Sequence, residues 1–423
     1  MYRKILHIAI PSIIANITTP LLSMVDLAIV GHMGNASFIA AIALGGTIFS
    51  MIYWLFGFLR MGTSGMTAQA VGADDRGERD ASLWRAMIVA LSFGLLIIAL
   101  QSYLKSVLFR FMGGEVDATN LARTYFDVLI FGAPATLGVY VLNGWFIGLQ
   151  NARLTMWLSL IVNIVNICCS LLLVYVFQFG IEGVAAGTLI AQWTGFIVGL
   201  LMVVSYRPRF EKFKSLFNPA AIRRFFAVNT DIFLRTLCLV AVTVWFTRAG
   251  ARQGDIILAV NALLMQLFIL FSYIMDGFAF AGEALAGLYV GSGETDKRLL
   301  SIKSLFKFGV VIATLFTLCY FVAGDTILAF LSDDRQVLIA SEEYSWWALA
   351  IPFAGMAAFI WDGVFIGETR TRGMLVAMLV ASILFFGAYY LLFPIWENHA
   401  LWFAFILYLA MRGVVQTLIY IRR

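Results

Sequence analysis

Ile5-Leu-His-Ile-Ala-Ile-Pro-Ser-Ile-Ile-Ala-Asn-Ile-Thr-Thr-Pro-Leu-Leu-Ser-Met-Val25 runs for 21 residues without a formal charge, then meets Asp26, five residues before Gly31. About 20 mostly apolar residues are enough to cross the hydrocarbon core of a bilayer as a helix. The stretch therefore reads as a membrane span with one carboxylate near its far end. Met1-Tyr2-Arg3-Lys4 precedes it, so the span reads as a first helix that also directs insertion, not as a cleaved signal. Similar charge-free runs recur at 86–104, 128–152, 154–181, 183–206, 256–275 and 373–396. The run from Leu27 to Leu59 is broken by Gly31-His-Met-Gly34-Asn35, which places a second helix from about Ser37. Weaker segments lie near 222–248, 302–323, 342–367 and 399–420. The expected fold is all-α and polytopic, with about twelve transmembrane helices. A membrane β-barrel would instead show roughly ten-residue alternating strands.

Composition agrees with lipid as the main solvent. Of 423 residues, 62% are apolar and 13% charged, against about 45–50% and about 25% in soluble domains; mean hydropathy is +0.91. These values exclude a disordered chain, a nucleic-acid module, a disulfide scaffold and an ordinary cytosolic enzyme. Cys168, Cys169, Cys238 and Cys319 lie in apolar stretches without metal-ligand spacing and read as small core residues.

The net charge of +5 reports topology. With the N-terminus in the cytoplasm, 22 of the 29 Lys and Arg fall on the inner side, Arg412 among them. Lys105, Arg110, Arg123, Arg248, Arg252 and Arg335 fall outside, and Arg235 lies within a helix. Cytoplasmic loops carry such an excess, and both termini are then cytoplasmic. The longest polar break begins at Arg207-Pro208-Arg209 and divides the chain into a six-helix bundle at 1–206, a linker at 207–221 and a second six-helix bundle at 222–423.

The halves repeat. Asn143-Gly-Trp-Phe-Ile-Gly148 returns 219 residues later as Asp362-Gly-Val-Phe-Ile-Gly367, Val71-Gly72 returns as Val290-Gly291, and Phe38-Ile-Ala40 aligns with Ile257-Leu-Ala259. With six helices per half, both copies start on the same side of the membrane. That predicts a parallel repeat about a pseudo-two-fold along the membrane normal, an arrangement used for alternating access.

The residues also resemble a known family. Ile10-Pro11-Ser-Ile-Ile-Ala-Asn16 with Ser23-Met-Val-Asp26-Leu-Ala-Ile-Val-Gly31-His-Met-Gly34 is similar to the first helix of multidrug and toxic compound extrusion (MATE) transporters. Thr67-Ala-Gln69-Ala-Val-Gly72-Ala, Asn143-Gly-Trp-Phe-Ile-Gly148 and Asn163-Ile-Val-Asn166-Ile extend the likeness. Val228-Asn-Thr-Asp231-Ile-Phe-Leu-Arg235 and Met275-Asp276-Gly-Phe-Ala-Phe-Ala-Gly-Glu283 resemble its DinF-like branch. The resemblance implies a MATE/MOP-type fold in a bacterial inner membrane. It also implies secondary active export of small organic, often cationic, compounds in exchange for inward H⁺ or Na⁺, with no cofactor.

Intramembrane polar residues carry the functional expectations, because a carboxylate at a helix centre costs about 2.5–3.5 kcal/mol on insertion scales. Asp26 reads as the cation-coupling carboxylate; the alternative is a helix-end Asp hydrated from the outer loop. Asn163, Asn166 and Ser170 share one face of the fifth span. That face either hydrogen-bonds between helices or, as the resemblance implies for Asn166 with Thr188 of the sixth span, helps line a cation site near Asp26. Many relatives carry a second carboxylate where this chain has Ser170, and a single formal charge suits H⁺ or weak Na⁺ binding. Asp231 and Arg235 stand at i, i+4 and can pair within the seventh span, or contact substrate or a gate. Asp276 and Glu283, seven apart on the eighth span, are candidates for a cavity wall. Asp362 is expected to cap a cytoplasmic helix end. Pro11 and Pro20 bend the first helix and are candidate hinges. No metal site is expected beyond Na⁺ at Asp26.

Other classes fit less well. His7, His32 and His399 are far apart, and no nucleophile–base pattern or phosphate-binding loop is visible, which disfavours a membrane-embedded enzyme or an ATP-driven pump. A flippase for lipids or lipid-linked sugars is the nearer alternative, but such proteins tend to have basic cavities, and the intramembrane charges here read as mostly acidic. The expected partners are small organic substrates and membrane lipid, with no nucleic acid, and the chain is expected to act as a monomer.

Overall fold

The computed structural model describes residues 1–31, 36–112, 116–208, 216 and 218–422, without the side chains of 19, 21–23 and 36. His32, Arg209, Lys212 and Lys214 lie outside the described residues, as does most of the linker. Every described element is helical: α1 (Tyr2–Gly31), α2 (Ala36–Leu55), α3 (Phe58–Gly72), α4 (Arg76–Ala99), α5 (Gln101–Met112), α6 (Val116–Leu129) and α7 (Ala133–Gly148) come first. They are followed by α8 (Ala152–Leu171), α9 (Gly180–Val204), α10 (Pro219–Ala251), α11 (Asp255–Gly291), α12 (Thr295–Leu331), α13 (Arg335–Gly367) and α14 (Thr371–Ile421). The exclusively helical choice follows from the solvent: a backbone in lipid must satisfy its own hydrogen bonds.

Among the described residues, ten helical segments are long and apolar enough to cross a membrane. Several merge neighbouring helices: Ser37–Gly72 joins α2 to α3, and Val116–Gly148 joins α6 to α7. The 51-residue α14 contains one non-helical residue, Glu397, at φ 47° and ψ −121°, three residues after Pro394. Dividing α14 there and adding the 30-residue α1 brings the spans to twelve.

The chain forms two compact units: Ile10–Phe225 is one, and Phe226–Arg423 together with Met1–Ala9 is the other. The first turns of α1 thus belong to the C-terminal unit, where Lys4 Nζ donates to the Tyr289 hydroxyl at 3.4 Å and Tyr2 meets Phe308 edge-on. The change of unit falls at Ile10, beside Pro11. In the N-terminal unit α7 packs against α3 and α4, α8 against α9, and α2 against α6; in the C-terminal unit α13 packs against α11, α12 and α14.

The 219-residue repeat is built into the packing of each unit. A Cβ on Gly144 would strike the carbonyl of Arg60, and one on Gly363 would strike the carbonyl of Ala279. A Cβ on Gly148 would meet the Ser64 carbonyl, and one on Gly367 the Glu283 carbonyl. Each pair is offset by the same 219 residues, so α7 lies on α3 as α13 lies on α11. Only a hydrogen in place of Cβ allows that approach. Left-handed turn residues repeat as well. Asp74 (φ 53°) corresponds to Gly293 (φ 72°), Gln150 (φ 65°) to Thr369 (φ 52°), and Gln178 (φ 59°) to Glu397 (φ 47°). The last pair explains the break in α14: it is the counterpart of the turn between α8 and α9.

Gly144→Ala and Gly363→Ala are each expected to destabilise the protein by about 1–3 kcal/mol through overpacking. Gly387→Ala, where a Cβ meets nothing within 4 Å, is expected to be neutral. Thermal unfolding in detergent measures all three.

Candidate functional site

In the N-terminal unit the polar groups gather around the C-terminal half of α1. Asp26 is 8% exposed. Two hydrogen bonds fix its helix on either side: Asn163 Nδ2 donates to the Thr18 carbonyl at 3.2 Å, and the Tyr175 hydroxyl donates to the Ile29 carbonyl at 3.2 Å. Tyr125 of α6 is buried and close enough to Asp26 to feel its charge, and Thr188 lies on α9. Thr188 in turn accepts from Asn166 Nδ2 at 2.9 Å and donates to the Val184 carbonyl at 3.0 Å. Asn166 and Thr188 are thus joined by a hydrogen bond, in the same unit as Asp26 and Tyr125. Ser170 is fully buried opposite Gly187, where a Cβ would strike its hydroxyl.

Three buried oxygens in this region lack a hydrogen-bond partner among the described residues: Asp26 Oδ1, Asn166 Oδ1 and Ser170 Oγ. Two of them can only accept. A proton on Asp26, or a hard monovalent cation among oxygen ligands, fits that deficit. Tyr125 was not singled out from sequence, because Asp127 interrupts the apolar run and hid the continuity of α6 with α7.

The C-terminal unit departs from the sequence expectation. Arg235 on α10 does not pair with Asp231. It bonds Asp362 of α13, which also accepts from Arg412 Nη2 and Gln416 Nε2 of α14, each at 2.6 Å. Each of these four residues is less than a tenth exposed. Asp362 is therefore the centre of a buried ion cluster and not a helix-end cap, and Arg412 belongs to that cluster and not to the cytoplasmic charge count. Asp231 instead accepts from the Thr371 hydroxyl at 3.0 Å and lies 3.6 Å from the exposed Arg372. The reason is geometric: Arg235 faces α13 and α14, where two more polar side chains converge, whereas Asp231 is one turn nearer the helix start. A Lys or Arg inside the apolar run 399–420 was the available signal for Arg412. Asp276 is half-buried on α11 and acts electrostatically on Arg412. Glu283 is buried on the same helix, where its carbonyl sits against Gly367. Pro11 and Pro20 both lie inside α1, which continues through them.

Two repeated units of long apolar helices with charged groups buried among them are the makeup of a membrane transporter. The MatE family matches residues 11–176 and 231–391. The chain belongs to this family of multidrug and toxic compound extrusion transporters, which are not enzymes. It is 35% identical over 416 residues to DNA damage-inducible protein F of Escherichia coli K12, covering 97% of this chain and 90% of that protein. It is 25% identical to the probable multidrug resistance protein NorM of Photorhabdus laumondii, covering 80% and 76%. A solved outward-facing multidrug resistance MATE transporter of the MOP superfamily shares the fold, with a TM-score of 0.87, 20% identity and coverage of 99% and 95%.

Asp362→Ala is expected to cost about 3–5 kcal/mol, because it leaves two buried guanidinium groups without their anion. Asp231→Asn is expected to cost at most about 1 kcal/mol, since its ionic partner is exposed. The two melting temperatures in detergent distinguish which aspartate serves Arg235.

Proposed function

We propose that the protein is a secondary active exporter of small organic, often cationic compounds, working by alternating access against inward H⁺ or Na⁺. It resides in the cytoplasmic membrane of a bacterium with both termini inside, an orientation supported by the Lys and Arg distribution even with Arg412 removed from the count. The observation that carries the reading is Asp26: a buried carboxylate with an oxygen that no described group satisfies. A buried charge in that condition takes up a cation or a proton. Asn166, Ser170 and Thr188 supply neutral oxygens in the same unit, and Asn163 positions α1. When an inbound cation satisfies Asp26, the acceptor set is no longer available to an organic cation. Competition for one carboxylate is sufficient to make the two fluxes exchange. Pro11 and Pro20 give α1 the bending points by which that exchange changes the helix.

Asp26→Asn is expected to fold and to abolish gradient-driven dye export in inverted vesicles. Wild-type export by a well-expressed Asn variant would overturn the reading. In the same vesicles, proton and sodium gradients applied separately identify the coupling ion. With one formal charge in the site, export is expected to collapse with an H⁺ uncoupler and to persist without sodium. Ser170→Asp, adding a second carboxylate, is expected to increase the response to sodium.

A further inference from the structure

Two guanidinium groups share a single carboxylate oxygen inside the C-terminal unit. Arg235 Nη2 and Arg412 Nη2 both donate to Asp362 Oδ2, while Gln416 holds Oδ1. The hydrogen-bonded cluster therefore carries two positive charges against one negative. An arginine presents five N–H donors in a fork suited to two parallel bonds with a carboxylate, yet here each is bound to the shared oxygen through one arm. The Nε groups of Arg235 and Arg412 are buried and have no hydrogen-bond partner among the described residues. Unpaired donors on a buried cation are costly. Asp276 also acts on Arg412, but from a half-buried position. The surroundings are aromatic: the Arg412 guanidinium lies 5.4 Å from the Tyr408 ring centre, and Phe385 and Phe405 stand 6.3 and 6.2 Å from that ring.

We propose that Arg235 and Arg412 form a binding site for the carboxylate group of a small organic anion or zwitterion. The incoming carboxylate takes the guanidinium arms that Asp362 leaves unused and displaces Asp362 from one of them, and Tyr408 with its aromatic neighbours receives the organic body. Asp362 acts as the resident competitor that offsets one of the two positive charges when no solute is bound. The role in export rests on the transport reading above; the binding does not.

The test is equilibrium binding to the full-length protein in neutral phosphatidylcholine nanodiscs, without any gradient, using 1-naphthoate and its uncharged methyl ester. Wild type is expected to prefer the acid by about tenfold or more, equivalent to one charge-assisted pair. Arg235→Gln and Arg412→Gln, each leaving a neutral Arg–Asp pair, are expected to remove the preference. Asp362→Asn is expected to tighten naphthoate binding, a gain that misfolding would not produce. Equal affinity for acid and ester, or a preference that survives both Gln variants, overturns the proposal. So does displacement of naphthoate by phosphatidylglycerol with the same dependence on the two arginines, which would make the site one for a lipid headgroup. Gradient-driven export of a cationic dye by wild type is measured separately: its absence beside intact naphthoate binding would count against the transport reading alone.

Discussion

A charge placed in hydrocarbon must be compensated from inside the chain, and this protein does so in two opposite ways. Asp26 keeps a buried oxygen that none of the described residues satisfies. Asp362 is saturated by two arginines and a glutamine. The first arrangement has an acceptor to spare and the second has donors to spare. Both are tolerable only because the surrounding helices are anchored by other means, chiefly close backbone contact at glycine.

That anchoring is the part of the structure most directly inherited from the repeat. Without a hydrophobic driving force between helices in lipid, association depends on dense packing and on small residues at the contact. Gly144 and Gly148 bring α7 onto α3, and Gly363 and Gly367 bring α13 onto α11, at positions separated by one offset. The polar residues laid over this common frame have diverged. Asn143 occupies the place of Asp362, and Asn16 and Trp193 stand at the repeat positions of Arg235 and Arg412. The frame is conserved between the halves because backbone contact admits few substitutions, while the side chains above it were free to take different electrical roles.

The number of spans, the fold class and the repeat were legible in the sequence because each rests on a long-range pattern: uninterrupted apolar length, loop charge and a fixed offset. The burial of Asp26 and the pairing of Asn166 with Thr188 were legible for a different reason, since polar residues in apolar runs are conspicuous and the family resemblance named them. The C-terminal cluster was not. Spacing along one helix offered Asp231 as the partner of Arg235, and only the packing of α10, α13 and α14 brings Asp362, Arg412 and Gln416 to it. Sequence spacing describes neighbours on one helix; it has no access to which faces of three helices meet. Arg412 was misplaced for the same reason, because it was counted by its distance from the chain end and not by its surroundings.

The two charge arrangements together change what an exporter of this kind is equipped to handle. A carboxylate with a spare acceptor discriminates in favour of cations, and on its own it would penalise any solute carrying a negative group. A guanidinium pair that outnumbers its carboxylate has the reverse preference. In the proposed cycle an inbound cation offsets Asp26, and Asp362 offsets one of the two arginine charges when no solute is bound. Neither unit then carries the full cost of a bare charge at membrane depth during the part of the cycle when it is empty. In that proposed cycle a solute binds by exchanging one counter-ion for another, which keeps the energy of binding small enough for release. That balance between capture and release, and not affinity as such, is what transport demands of a buried charge.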